Sequence, residues 1–247
     1  MMTKNWPYPR WIAHRGAGKL APENTLAAFK AGAALGYKMF ECDVKLSADD
    51  VLFLLHDSTL ERTSSGSGEA RAQNWAALSQ LDAGSWHSPA FKGEALPSFE
   101  GVAQYCLKND FFLNIEIKPS PGLEAITGSA VANAAAALWK NAVTPPLLTS
   151  FQVASLEAAQ KAQPQLPRGL LLHKLTPDWV ALAQRLGCVA VICNYLLWDE
   201  SSVGKAKAAG FKTLSYTVND QAVVIRLQAL GTDGIITDRL DLFNPAV

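Results

Sequence analysis

Short apolar runs alternate along most of the chain with longer stretches of helical spacing that end at a glycine. The apolar runs predict strands, because they are brief and bounded by turn residues. We predict nine strands, at Trp11–Ala13, Phe40–Val44, Val51–Leu55, Phe112–Ile117, Leu147–Ser150, Gly169–Leu172, Val189–Cys193, Lys212–Val218 and Gly234–Thr237. The main helices are predicted at Leu26–Leu35, Ser98–Lys108, Leu123–Trp139, Val153–Ala162, Asp199–Ala209 and Asp220–Leu230, with a short one at Trp75–Leu81. Thr25 is expected to cap the first of them, and Thr176-Pro177 supplies the cap and first position of one more helix that ends at Gly187.

This alternation of strands and helices indicates a parallel sheet covered by helices. If one member of an early hairpin is extra, eight strands remain, which is the number that closes a (βα)8 TIM barrel. We therefore predict one α/β barrel domain over residues 1–247, with a small subdomain inserted over the barrel mouth at 58–110. An open doubly wound sheet is the alternative, but no Gly-x-Gly-x-x-Gly follows a strand.

The early hairpin lies within Met39–Asp57. Its turn, Ser47–Asp50, is too short for the crossover that parallel strands require, so Val51–Leu55 should run antiparallel to Phe40–Val44. Folding about this turn would set His56 nearly opposite Glu41. Residues i and i+2 share one face of a strand, so the carboxylates of Glu41 and Asp43 can bind one cation.

Several charged residues follow predicted strands, at the end where barrel enzymes build their sites. Three carboxylates, Glu41, Asp43 and Glu116, would offer the hard oxygen ligands that suit Mg2+ or Ca2+. Arg15 and Lys118 would stay cationic at neutral pH and offer donors to a phosphate.

Two histidines accompany these groups, His14 after the first strand and His56 after the hairpin. They fit a general acid and a general base for cleaving a phosphorus–oxygen bond. The set therefore indicates phosphodiester hydrolysis. The other two histidines, His87 and His173, have no acidic strand partner nearby in the sequence, so we expect surface or packing roles for them.

Composition narrows the class of protein. The net charge is zero and hydrophobic residues make up 49% of the chain, which gives no basic field for nucleic acid. No stretch approaches the roughly 18 apolar residues of a spanning helix, so we expect no membrane insertion. The segment Met1–Trp11 lacks the apolar region of a secretory leader, which predicts a cytoplasmic protein. The four cysteines show no paired spacing and are expected to be reduced packing residues.

A set of short motifs resembles the glycerophosphodiester phosphodiesterase family, and in particular its short cytosolic bacterial form. They occur in the family's order over nearly the whole chain. The motifs are His14-Arg15-Gly16, Pro22-Glu23-Asn24-Thr25, Glu41-x-Asp43-Val44, His56-Asp57, Glu61-Arg62-Thr63, Glu116-Ile117-Lys118, Ser150-Phe151, Tyr216-Thr217-Val218-Asn219 and Asp233-Gly234-Ile235-Ile236-Thr237-Asp238.

The resemblance implies a (βα)8 barrel that cleaves a small glycerophosphodiester to glycerol 3-phosphate and an alcohol such as choline or ethanolamine. It implies a divalent metal on the three carboxylates and an acid and base pair formed by the two histidines named above. It also implies that Arg15 and Lys118 hold the phosphate and that Glu23 and Asn24 shape the first loop. Tyr216, where the family often has tryptophan, is assigned to substrate binding.

Three rival functions stay open at this point. A related phospholipase-type barrel would release a cyclic phosphate, a non-catalytic barrel would only bind a metabolite, and a sugar-phosphate isomerase barrel would not need three carboxylates. The sequence leaves open the choice of Mg2+ or Ca2+, which histidine is the acid, and whether water or a substrate hydroxyl attacks. A homodimer is the assembly we consider.

Overall fold

The computed structural model describes residues 6–246, in which eight of nine strands close into a parallel barrel. The strands are β1 Trp11–Ala13, β2 Met39–Leu46, β3 Leu52–Leu54, β4 Phe112–Ile117, β5 Leu147–Ser150, β6 Arg168–Leu172, β7 Ala190–Asn194, β8 Lys212–Tyr216 and β9 Gly234–Thr237. Strand β1 pairs in parallel with both β9 and β2, which closes the ring. The predicted TIM barrel is confirmed. Met1–Asn5 and Val247 lie outside the described residues. The first of these belongs to the segment in which we expected no secretory leader.

Helices connect the parallel strands and cover the outside of the barrel. They are α1 Leu26–Ala34, α2 Trp75–Leu78, α3 Phe99–Lys108, α4 Glu124–Leu138, α5 Val153–Ala162, α6 Trp179–Arg185, α7 Glu200–Ala208 and α8 Gln221–Leu230. Within residues 6–246, none of these helices combines the length and the apolar character that crossing a bilayer requires.

Side-chain caps explain the starts of four of the eight helices, α1, α3, α7 and α8. Thr25 accepts a hydrogen bond from the Ala28 backbone N–H at the start of α1, and Asp220 caps α8 in the same way. The expected cap of α6 at Thr176-Pro177 is wrong. The helix starts at Trp179, whose N–H donates to the Thr176 carbonyl in a preceding turn. Trp179, the first residue of α6, is buried edge-on against Trp198.

The early hairpin is antiparallel, as predicted, and β3 lies outside the closed ring. The expected partner stretch is wrong, however, because Leu52–Leu54 pairs with Val44–Leu46, towards the end of β2. Continued by two residues, this register sets His56 opposite Cys42 rather than Glu41. Because β3 pairs only with the end of β2, most of β2 can form hydrogen bonds with β1 and β4 inside the barrel.

The lower half of the barrel interior is a packed apolar core. It includes Ile12, Met39, Leu147, Ile192 and Leu214, all fully buried. A larger core lies between the strands and the helices. Because side chains fill the barrel from below, polar groups can collect only near the carboxyl ends of the strands.

The segment predicted as an inserted subdomain, 58–110, contains two kinds of packing. Its first part shares a small separate core that includes Leu60, Leu78 and Leu96. Helix α3 instead packs into the outer barrel core through Phe99 and Val102. We therefore propose that the insertion ends before α3, at residue 98.

Candidate active site

A cavity opens at the carboxyl ends of the barrel strands. Its wall is formed by residues within or directly after β1, β2, β4, β5, β6, β8 and β9, and by one residue after the early hairpin. The lining side chains are His14, Arg15, Glu41, His56, Asn114, Glu116, Lys118, Thr149, Phe151, Leu171, His173, Tyr216, Thr217 and Ile236. The remaining predicted site residues, Glu23, Asn24 and Asp43, contact this wall from behind.

A left-handed turn after β1 aims Arg15 at the carboxylates. Arg15 has φ 50° and Gly16 has φ 98°, and a Cβ on Gly16 would lie 2.7 Å from the Ala28 Cβ atom, so glycine is required there. The Arg15 backbone N–H donates to Glu41 Oε2 (3.1 Å), while its guanidinium Nη1 donates to Glu23 Oε1 (2.7 Å). The strained turn therefore directs two donors of one residue into the site.

Asn24 fixes the position of Asp43. Its Nδ2 donates to Asp43 Oδ2 (2.8 Å), and its Oδ1 accepts from the Asp43 backbone N–H (3.1 Å). Asn24 itself has φ 57°, a left-handed conformation that asparagine tolerates better than most residues. Both hydrogen bonds are buried, so the first loop holds one carboxylate in a single orientation.

The three acidic residues of β2 and β4 meet at one point. Glu41, Asp43 and Glu116 are buried, and one oxygen of each lies within 4.8 Å of the others. Strand register explains the meeting, because Asp43 pairs directly with Glu116 and Glu41 shares the inward face of β2. Such a cluster is stable only when the charges are compensated by cations or by protons.

Burial and mutual repulsion act on these carboxyls in different ways. Burial, then the charge of Asp43, raises the pKa of Glu116 to about 7 despite Lys118, and burial likewise raises the pKa of Glu41. Burial also acts to raise the pKa of Asp43, but the charges of Arg15 and Lys118 outweigh it, so this pKa falls well below its ordinary value. Asp43 is thus the permanent anion of the cluster.

One buried oxygen of this cluster is available to a ligand. Among residues 6–246, Asp43 Oδ1 has no hydrogen-bond partner. Lys118 Nζ is 3.6 Å from it, too far for a hydrogen bond, since that ammonium donates instead to Glu116 Oε1 (2.7 Å). An unpartnered carboxylate oxygen beside two further buried carboxylates fits a divalent cation, because the donor set contains only oxygen.

Lysine 45 also lies in this region and was missed from the sequence. It is buried two positions after Asp43 on β2, and its Nζ donates to the Lys118 carbonyl (3.2 Å). Burial lowers its pKa to about 8. The alternation that selected Glu41 and Asp43 also points to Lys45, two positions further along the same face.

Each predicted catalytic histidine has a carboxylate behind it. His14 Nδ1 lies 2.6 Å from Asp238 Oδ1, and His56 Nδ1 lies 2.6 Å from Asp57 Oδ1. Asp238 in turn accepts a hydrogen bond from Asn219 Nδ2 (3.0 Å). A proton held between Nδ1 and a carboxylate leaves Nε2 of each ring to face the cavity.

The histidine partners were not identified from the sequence. Asp238 and Asn219 belong to motifs that we noted without assigning them a role. Burial lowers the pKa of His56, only partly offset by the charge of Asp43, so the environment favours the neutral form of this ring.

Aromatic rings form one wall of the cavity. Phe151 and His173 stack with centroids 4.0 Å apart and planes at 7°, and Tyr216 meets Phe151 edge-on at 5.6 Å. The Tyr216 hydroxyl donates to the Leu172 carbonyl (2.8 Å). His173 is exposed and packs on Phe151, as expected for a surface or packing residue, and it also lines the cavity. His87 is not among the lining residues and makes a hydrogen bond with the Lys19 carbonyl (3.0 Å).

Comparison with known proteins identifies the family. Residues 14–242 match the model of the glycerophosphoryl diester phosphodiesterase family. The chain belongs to this family. It is therefore a phosphoric diester hydrolase that acts on glycerophosphodiesters, and the resemblance noted in the sequence is confirmed.

Relatives of this phosphodiesterase match over nearly their whole length. A glycerophosphodiester phosphodiesterase of Caldanaerobacter subterraneus is 34% identical, with 92% of this chain and 93% of that protein covered. A phosphodiesterase of Oleispira antarctica, solved in complex with the product sn-glycerol-3-phosphate, is 33% identical with a TM-score of 0.87 and 93% of each chain covered. A glycerophosphodiester phosphodiesterase of Agrobacterium tumefaciens is 26% identical with a TM-score of 0.81, and the match covers 97% of this chain and all of that one.

Proposed function

We propose that this phosphodiesterase cleaves small glycerophosphodiesters, such as glycerophosphocholine or glycerophosphoethanolamine, to glycerol 3-phosphate and an alcohol. The single observation that supports this most directly is a buried carboxylate triad with an unpartnered oxygen, beside two histidines that are each backed by a carboxylate. The Oleispira antarctica relative, which binds sn-glycerol-3-phosphate, supports the same product here.

We assign the triad to a divalent cation, Mg2+ or Ca2+. Glu41, Asp43 and Glu116 would hold it, and their oxygen-only donor set argues against zinc. When bound there, the cation supplies Lewis-acid stabilisation of the charge on the phosphoryl oxygens. Without it, the protein depends on Lys118 and on protonation of the glutamates to compensate the buried charge.

We assign the phosphate to Arg15 and Lys118, and the glycerol or head-group carbons to Tyr216 and its aromatic wall. Both cations line the cavity and are anchored by carboxylates, Arg15 by Glu23 and Lys118 by Glu116. Anchored cations are pre-oriented, so they can meet phosphoryl oxygens with little reorganisation.

The proton transfers fall to His14 and His56. One ring takes a proton at Nε2 from the nucleophile, and the other gives a proton from Nε2 to the leaving alcohol oxygen. The nucleophile is either water or the neighbouring glycerol hydroxyl, and the second route passes through a cyclic phosphate. Cytoplasmic location and a homodimer stay predictions of the sequence.

The histidine assignment is tested by turnover of glycerophosphocholine, followed as choline release. His14→Ala and His56→Ala should each lower kcat by about 100- to 10,000-fold, because each removes a proton-transfer group. His87→Ala is the matched control, since this ring does not line the cavity, and it should retain wild-type turnover. Full activity in either site variant would contradict the role of that histidine.

A further inference from the structure

Arg62 joins two carboxylates that lie on different loops of the site. It follows the hairpin in sequence, and its guanidinium contacts Glu23, 39 positions earlier in the chain. Nε and Nη2 donate to the two oxygens of Asp57 (2.5 and 3.1 Å), while Nη1 and Nη2 donate to the two oxygens of Glu23 (2.8 Å each). One side chain thus forms two forks, using four of the five N–H donors of a guanidinium.

Each of these carboxylates has a second partner inside the cavity. Asp57 Oδ1 is 2.6 Å from His56 Nδ1, and Glu23 Oε1 is 2.7 Å from Arg15 Nη1. Arg62 is therefore linked through one carboxylate to a proposed proton-transfer group and through the other to a proposed phosphate ligand. Arg62 itself does not line the cavity.

The two histidine–carboxylate pairs are supported in different ways. Asp238 is held by the side chain of Asn219, which both donates to Oδ2 (3.0 Å) and accepts from the Asp238 backbone N–H (2.9 Å). The side chain of Asp57, within the described range 6–246, hydrogen bonds only with His56 and Arg62. Without Arg62, the side chain of Asp57 would keep only its hydrogen bond with His56 among residues 6–246.

The charges of the network favour a fixed arrangement. Hydrogen bonds from Arg62 are the largest cause that lowers the pKa of Asp57. Burial acts to raise the pKa of Glu23, but Arg62 and Arg15 together hold it below its ordinary value. Both carboxylates stay ionised at neutral pH, so they act as permanent acceptors for Arg62. Exposed single ion pairs are worth little, whereas bidentate pairs joined in a network hold geometry.

We propose that Arg62 is a positioning residue for both halves of the reaction. Through Asp57 it keeps the His56 proton on Nδ1, so that Nε2 faces the cavity, and through Glu23 it keeps Arg15 aimed at the phosphate. This inference rests on the proposed function, which assigns the roles of His56 and Arg15.

Two substitutions test the role of the forks. Arg62→Gln removes the cation, and Arg62→Lys keeps the charge but cannot form two forks. Each should lower kcat by about 10- to 100-fold, as expected for a residue that orients a catalytic side chain. The matched control is Arg185→Gln, because the Arg185 guanidinium pairs with Glu157 on the exposed surface of the barrel (2.5 Å). It should leave kcat unchanged.

A readout that does not depend on turnover is the tautomer of His56. The chain has only four histidines, so 15N NMR of the imidazole nitrogens can be assigned with a His56→Gln variant. Wild type and Arg185→Gln should show the His56 proton on Nδ1, whereas Arg62→Gln and Arg62→Lys should show a mixture of tautomers. If the proposed substrate is not cleaved even by the wild type, this spectrum still decides the role of Arg62.

A double-mutant cycle completes the test. Adding Arg62→Gln to Asp57→Asn should lower kcat less than Arg62→Gln does alone, because the part of its effect that passes through Asp57 is already lost and only the part through Glu23 remains. An unchanged His56 tautomer in both folded Arg62 variants would overturn the proposal. So would fully additive losses, or a raised KM with unchanged kcat, since the last result would make Arg62 a substrate contact.

Discussion

His14 and Asp238 are hydrogen bonded at 2.6 Å although 224 positions separate them in the chain. Strand β1 pairs in parallel with β9, and these residues directly follow the paired ends, Ala13 and Thr237. Closure of the barrel therefore builds the histidine–carboxylate pair. A carboxylate at Nδ1 holds the imidazole in the Nδ1–H tautomer, which leaves Nε2 for the proton transfer that we propose.

Asp238→Asn should lower kcat by about 10- to 100-fold with little change in KM, because the amide no longer selects the Nδ1–H tautomer of His14. The measurement is steady-state turnover of glycerophosphocholine. Asp241→Asn, three positions on and paired with Arg239 on the surface, is the control and should retain activity. Wild-type kcat in the Asp238 variant would contradict a role for this pair.

Gly18 lies against the backbone of Asp238, and a matched pair of glycine variants tests this contact. A Cβ on Gly18 (φ 56°) would lie 2.3 Å from the Asp238 Cα atom, whereas a Cβ on Gly93 (φ 87°) would meet no atom within 4 Å. Gly93→Ala should cost about 1–2 kcal/mol of unfolding free energy from its left-handed backbone alone. Gly18→Ala should cost more and should also lower kcat, because Asp238 must move.

Thermal unfolding and turnover of the two alanine variants provide the comparison. Equal stability losses with normal kcat in both proteins would show that Gly18 does not constrain the position of Asp238.

The pH dependence of stability reports on the metal-free triad. Folding raises the Glu116 pKa from 4.5 to about 7, so the folded state binds the proton more tightly than the unfolded state. The stability from this group is fully present below about pH 4.5 and is lost as pH rises through about 7. Relative to Glu116→Gln, the chelator-treated wild type should lose on the order of 2 kcal/mol over this interval.

Urea unfolding of both proteins at a series of pH values measures this difference. Added Mg2+ or Ca2+ should restore wild-type stability at high pH, because cation binding stabilises the folded state. Parallel pH profiles for the two metal-free proteins would show that Glu116 ionises normally.

Local sequence signals were sufficient for most of the fold. The strands, the Thr25 cap and the antiparallel hairpin all follow from apolar spacing and turn chemistry over a few residues. The hairpin register was not predictable in this way, because β2 pairs with three other strands. Its hydrogen bonds to β1 and β4 in the barrel determine which residues of β2 remain for pairing with β3.

The candidate site shows the same division. The triad could be predicted from the sequence, because Glu41 and Asp43 share a strand face and Glu116 lies near the end of another strand. Asp238 could not be paired with His14 from spacing, since only barrel closure brings them together. The place of His173 in the cavity wall was missed for a similar reason, because its stacking partner Phe151 follows a different strand.

The requirement for a divalent cation is the central claim, and 31P NMR of glycerophosphocholine tests it most directly. Protein stripped by a chelator should leave the phosphodiester signal unchanged, and adding Mg2+ or Ca2+ should convert it to glycerol 3-phosphate. Asp43→Asn should stay inactive with either cation. Full conversion by the stripped protein, or by Asp43→Asn, would contradict the account.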